Sequence, residues 1–206
     1  MYIEDGIKET GNIDIVHNKK NVFLIGDSIR EGYCETVKKE LYDIANVVYP
    51  NDNCRFTQYV LTRLYDWSKP YQDLNMDLVH FNCGHWDVAH WNGEEESLND
   101  IETYCGNIKR IIKRLKTIFP NAKIIFATTT AMNPNGSIGI NPRSNEEICR
   151  YNAAVRKILP EDVYINDLYK LTSTYNEDKY ADYCHFTKSA FEGLGIEVAN
   201  YIRKLI

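Results

Sequence analysis

The stretch NVFLIGDSIREGY, residues 21–33, sets the architecture. Four apolar residues, 22–25, make 21–25 read as a buried strand. It enters Gly26-Asp27-Ser28, three good turn formers, and helix-like sequence follows. A strand that turns tightly into a helix is the first half of a β-α-β unit. Gly-Asp-Ser read alone is ordinary turn chemistry, with Asp27 and Ser28 capping the helix. The other reading is a serine held out over the edge of a sheet as a nucleophile. The rest of the chain decides between them.

The pattern repeats outward from that stretch. The spacing of Val37, Leu41 and Ile44 predicts a helix over about 33–44, and 45–49 reads as a second strand before the turn cluster PNDN. Residues 56–67 read as a helix and 77–81 as a third strand. Past the loop 82–98, a long amphipathic helix stops at Pro120. Residues 122–129 form a fourth strand, with a loop to about 143. The next helix opens on Ser144 and Glu147, a capping box, and 163–167 is the fifth strand. Thr187 is the expected N-cap of the last helix, with Phe186 and Phe191 as its hydrophobic staple. Strands alternating with helices predict a parallel sheet covered on both faces, as one domain over 1–206 with residues 1–20 as an N-terminal extension. Ligand sites in such sheets lie beyond the carboxyl ends of the strands.

Bulk properties narrow the function. A chain of 206 residues, 44% hydrophobic and 26% charged, suits one α/β domain with a full core. A net charge of −5 argues against nucleic acid or an anionic membrane as the partner. The acidic, polar start MYIEDGIKETGN does not read as a signal peptide, and no apolar run reaches membrane-spanning length. The six cysteines are scattered without a C-x-x-C pair, which reads as free thiols in a reducing cytoplasm.

A second motif gives the first its chemistry. In DYCHF, residues 182–186, Asp182 stands three residues before His185, just ahead of the last helix. A carboxylate beside an imidazole fixes its tautomer and stabilises the imidazolium. The imidazole can then take a proton from serine and return it to a leaving group. A lone D-x-x-H is common. Placed after strand five, in a chain with Gly-Asp-Ser after strand one, it opens on the same sheet edge as Ser28.

GDSI at 26–29 and DYCH at 182–185 together resemble the first and last blocks of the SGNH hydrolases, the GDSL-like lipase/acylhydrolase family. The resemblance covers the chain from strand one to the final helix. It implies a flavodoxin-like three-layer α/β/α sandwich on a five-stranded parallel sheet. It also implies ester hydrolysis through an acyl-serine, with no metal and no other cofactor, by Ser28, His185 and Asp182. The middle blocks depart from the family pattern. The loop YPNDNCRFT lacks the usual oxyanion-hole glycine, and Asn53 is the candidate donor there. In FNCGHWDV, Gly84 and Asp87 match the third block, but Trp86 occupies the asparagine position and Asn82 is the candidate replacement. The expected oxyanion donors are therefore the Ser28 N–H, Asn53, and Asn82 or Gly84.

The expected substrate is a small acyl ester, acetyl above all, on a carbohydrate or other polar alcohol. A thioesterase, lysophospholipase or acyltransferase on the same site, or a glycan-binding module that has kept the fold, are the alternatives. Asp27, Trp86 and Arg143 are candidate substrate contacts. Trp86, Trp91 and Trp67 could form an aromatic wall, and Asn152 could join Arg143 at the cleft. His80, His85 and His90 read as a loop network and a sheet-face histidine rather than a metal cluster. Cys184 is expected to point away from the base.

Overall fold

A computed structural model describes residues 15–136 and 139–206, so most of the expected N-terminal extension and two residues of the loop after the fourth strand lie outside the described residues. Five parallel strands, β1 (Lys20–Ile25), β2 (Ala45–Val48), β3 (Leu78–Asn82), β4 (Lys123–Ala127) and β5 (Val163–Asn166), form one sheet in the order β2-β1-β3-β4-β5. Six helices accompany them: α1 (Ser28–Glu40), α2 (Thr57–Ser68), α3 (Ile101–Ile118), α4 (Asn145–Ile158), α5 (Leu168–Thr172) and α6 (Lys188–Arg203).

The strands are apolar on both faces because both are covered. In β1, Val22 and Leu24 pack into one core with Val37 of α1, Leu41 at its C-cap, and Leu194 and Val198 of α6. Phe23 and Ile25 point the other way, toward Leu64 of α2, Ile111 of α3 and Val155 of α4. That is the three-layer sandwich expected from the sequence.

The main departure lies at α1. It starts at Ser28, five residues before the expected start, and ends at Glu40. Gly32 lies inside it, a residue of low helix propensity. In the structure it is the contact between α1 and α6: a Cβ there would stand 2.3 Å from the ring of Phe191. The other helix ends follow local rules. Ser144 and Glu147 form the capping box, the Thr187 hydroxyl accepts from Ala190 N, and the Phe186 and Phe191 rings lie 5.3 Å apart. The start of α2 has no cap of its own. The buried Asp87 carboxylate serves instead, accepting from Thr57 N at 3.1 Å and from the Thr57 hydroxyl at 2.6 Å.

Candidate active site

The strand order reverses direction at β1, so the chain leaves β1 and β3 on opposite sides and opens a crevice beyond their carboxyl ends. Gly26-Asp27-Ser28 lies there. The Asp27 carboxylate accepts from Ile29 N at 3.0 Å and caps α1, which makes Ser28 the first helical residue. Its N–H is one of the first-turn donors that an α-helix leaves without an internal partner. The loop after β2 is tied to this turn. Cys54 N donates to Gly26 O at 3.1 Å, and the buried Arg30 guanidinium donates to Asp52 O at 2.5 Å. Asn53 is thereby held at the rim.

Ser28 and His185 are 157 positions apart in sequence, yet Ser28 Oγ lies 2.8 Å from His185 Nε2. His185 Nδ1 lies 2.7 Å from Asp182 Oδ2. The segment carrying both is a tight turn wound on Asp182. Asp182 Oδ1 accepts from the backbone N–H of Cys184 at 2.8 Å and of His185 at 2.7 Å, while Ala181 N donates to His185 O at 2.8 Å. Both carboxylate oxygens are thus engaged. Partial burial works against the Asp182 charge, but those N–H groups and the imidazole outweigh it and hold the carboxyl below its ordinary range. His185 is raised above the ordinary histidine range. The Cys184 sulfur beside Nδ1 contributes most, half-burial opposes it, and Asp182 adds to it.

The cleft in front of Ser28 and His185 has a volume of about 320 Å³. Trp86 and Trp91 form one wall, with ring centroids 4.9 Å apart, and Asn53 and Arg143 also line it. Both terminal nitrogens of Arg143 are engaged by protein partners, while its buried Nε has none among the described residues. The guanidinium donates to His85 O, to the Tyr183 hydroxyl at 3.2 Å and to Cys184 Sγ at 3.6 Å. It braces the wall at least as much as it faces a ligand.

Several expected positions fall elsewhere. Asp27 is fully buried, and desolvation raises its carboxyl, so it caps α1 and does not face a substrate. Asn82 is 1% exposed, its Oδ1 against Gly26, and neither it nor Gly84 lines the cleft. Asn53 does, but its side-chain amide donates to Glu31 Oε2 at 3.1 Å. Trp67 belongs to the core against Tyr59. Asn152 clamps both backbone groups of Thr129 at 3.0 Å, well inside the wall.

The three middle histidines have separate partners. His80 is buried against Asn166, 3.2 Å away, and burial pushes it down to about 3. His85 Nε2 meets the Thr130 hydroxyl at 2.8 Å, and His90 Nε2 meets Glu147 at 2.7 Å.

Cys184 corrects a prediction. Its sulfur lies 3.7 Å from His185 Nδ1 and lines the cleft. Neighbouring side chains diverge in a strand, but this segment coils around Asp182 Oδ1, which turns Cys184 toward the imidazole. Tyr183, whose ring lies beneath Arg143 at 5.3 Å, also reaches the cleft. Only its place inside the D-x-x-H motif could have signalled it.

The sequence profile of the GDSL-like Lipase/Acylhydrolase family matches residues 24–191. No curated protein matches the chain. Among solved structures, an acetyl xylan esterase, AlAXEase, superposes with a TM-score of 0.71 at 20% identity, over 88% of this chain and 99% of that one. A lipase/acylhydrolase from Enterococcus faecalis gives 0.69 at 20% identity over 90% and 96%. Est24, a carbohydrate acetylesterase from Sinorhizobium meliloti, gives 0.69 at 13% identity over 91% and 100%. At such identities these are likenesses of fold. The profile match is the stronger finding, since it runs from β1 into α6 and takes in the Gly-Asp-Ser turn and the Asp182–His185 motif alike. The chain belongs to the GDSL-like lipase/acylhydrolase family of hydrolases.

Proposed function

We propose that this protein is a serine esterase that removes a small acyl group, acetyl above all, from a carbohydrate or a similar polar alcohol. One observation carries the reading: the unbroken line from Ser28 Oγ to His185 Nε2 at 2.8 Å and from Nδ1 to Asp182 at 2.7 Å, opening on the cleft. Ser28 attacks the ester carbonyl while His185 takes its proton, and Asp182 stabilises the imidazolium. The Ser28 N–H, at the positive end of α1, receives the oxyanion, with Asn53 across the rim. His185 then passes the proton to the leaving alcohol, an acyl-serine forms, and water drawn by the same histidine releases the acid. Each oxyanion donor is worth about 3 kcal/mol in the transition state.

The substrate class rests on the cleft and on kinship. The cavity is compact, its rim is polar, and its aromatic wall suits the flat face of a sugar. Two of the structural relatives are an acetyl xylan esterase and a carbohydrate acetylesterase. Initial rates on p-nitrophenyl acetate should exceed those on the octanoate by roughly tenfold or more, because each added methylene must fit a cavity sized for a short chain. Faster turnover of the octanoate would point to a lysophospholipase-type enzyme. Binding of acetylated xylo-oligosaccharides without turnover of any ester would favour a glycan-binding module.

The raised His185 fixes the sign of the pH dependence. A general base must be unprotonated, so kcat/KM should fall as pH drops through its pKa. The acid limb should lie above about 6.5, the ordinary histidine value, and activity should peak on the alkaline side of neutrality. A profile already flat from pH 5 upward would show that His185 is not held protonated, contrary to this assignment.

A further inference from the structure

Asp182, Cys184 and His185 share more than the hydrogen bond between the first and the last. Asp182 Oδ2, Cys184 Sγ and a His185 ring nitrogen lie within 4.8 Å of one another. His185 Nδ1 is the apex, 2.7 Å from the carboxylate and 3.7 Å from the sulfur. We propose that these three side chains form an inhibitory site for a soft divalent cation, zinc, which shuts the base off by taking His185 Nδ1. The inhibitory half of this inference rests on the esterase reading above; the binding half does not.

The geometry suits zinc. Tetrahedral coordination with ordinary zinc–sulfur and zinc–nitrogen bonds sets the sulfur and nitrogen about 3.6 Å apart, close to the 3.7 Å found. A zinc-bound nitrogen and oxygen stand about 3.4 Å apart, and the metal takes the Nδ1 axis on which Asp182 Oδ2 now accepts at 2.7 Å, so that oxygen has to swing aside by about 2 Å. The Asp182 side chain is 44% exposed, which leaves room for Oδ2 to turn about Oδ1, the oxygen held by the two backbone N–H groups, at the cost of its present bond to Nδ1. The donor set of one thiolate, one imidazole and one carboxylate neutralises the cation and leaves the fourth position to water. Outer hydrogen bonds of the kind that orient metal ligands are already in place. Asp182 Oδ1 holds the N–H groups of Cys184 and His185, and Arg143 Nη2 donates to Cys184 Sγ at 3.6 Å.

The inhibition follows from proton placement. In the catalytically competent, neutral state Nδ1–H donates to Asp182, and the Nε2 lone pair faces Ser28 Oγ. Zinc needs the Nδ1 lone pair. The imidazole stays neutral, its proton moves to Nε2, and the Cys184 thiol proton leaves to solvent. Nε2 is then a donor and can no longer take the proton of Ser28. No bond to substrate is involved, and removing the metal restores the original tautomer.

The test is competition for Zn2+ between the protein and a chromogenic chelator, run beside hydrolysis of p-nitrophenyl acetate with and without zinc. Wild type should take up about one equivalent, and Cys184→Ser should bind at least about tenfold more weakly. Cys149→Ser, which removes an exposed thiol outside the cluster, should bind as wild type does. Each protein's rate is compared with its own metal-free rate. Zinc should suppress wild type and Cys149→Ser, reversibly by EDTA, and Cys184→Ser should resist it. Undiminished binding by Cys184→Ser, no binding by wild type, or a zinc-loaded wild type that still hydrolyses ester at its metal-free rate would each overturn the proposal. A wild type that binds zinc through Cys184 but hydrolyses no ester would uphold the site and refute the esterase reading instead.

Discussion

Ser28→Ala should abolish turnover of p-nitrophenyl acetate, lowering kcat by about 10⁴-fold or more with the protein still folded. The nucleophile and its base act as a unit, so removing Oγ forfeits covalent catalysis and leaves His185 with nothing to deprotonate but water. The fold should tolerate the change. Ser28 is the first residue of α1, but the cap is Asp27, whose carboxylate bond to Ile29 N does not involve the serine. Alanine is also the best helix former. Circular dichroism and the thermal midpoint should therefore match wild type while the esterase assay reads background. A loss of less than about tenfold would mean that another group attacks the ester. Cys184 would be the next candidate, since it is the other nucleophilic side chain against the imidazole.

The largest stability effect is expected at Gly84→Ala, about 3 kcal/mol or more of destabilisation. Gly84 follows β3 with φ +148°, a backbone conformation closed to alanine without strain. An added Cβ would also stand 1.9 Å from Thr129 Oγ1, and that neighbour cannot yield. The Thr129 hydroxyl donates to Cys83 O at 3.0 Å, and its backbone is clamped on both sides by Asn152. The denaturation midpoint should fall by about 10 °C for a chain of this size. Gly106→Ala in the middle of α3, where nothing lies within 4 Å of the added carbon, should instead be neutral or slightly stabilising. Equal effects at the two positions would show that the loop after β3 is looser than its contacts imply.

The elements that carry local signals were legible in the sequence. Short apolar runs bounded by turn residues gave all five strands to within two residues at either end, and side-chain caps gave the starts of α4 and α6. The capping box and Thr187 act within four residues, so spacing alone reports them. The start of α1, expected near residue 33 and found at Ser28, shows the opposite case in Gly32. Its local meaning is a break, but it is needed for close contact with Phe191, far away in the chain. The start of α2 was located without its mechanism, because the carboxylate that caps it belongs to Asp87, 30 positions away.

The site divides along the same line. In a parallel sheet every strand-to-helix turn emerges at one edge, so alternating strands and helices suffice to put Ser28 and the Asp182–His185 motif on the same rim. The sequence by itself determined that much: the sandwich, the edge, and the serine, carboxylate and imidazole that meet there. Only the tertiary structure decided which neighbours share the rim. Asp27 turned inward as a cap, Asn82 went under Gly26, Arg143 became a brace and Cys184 came round to the imidazole. Those outcomes depend on how turns coil and on contacts between residues distant in the chain, and neither residue type nor spacing encodes them.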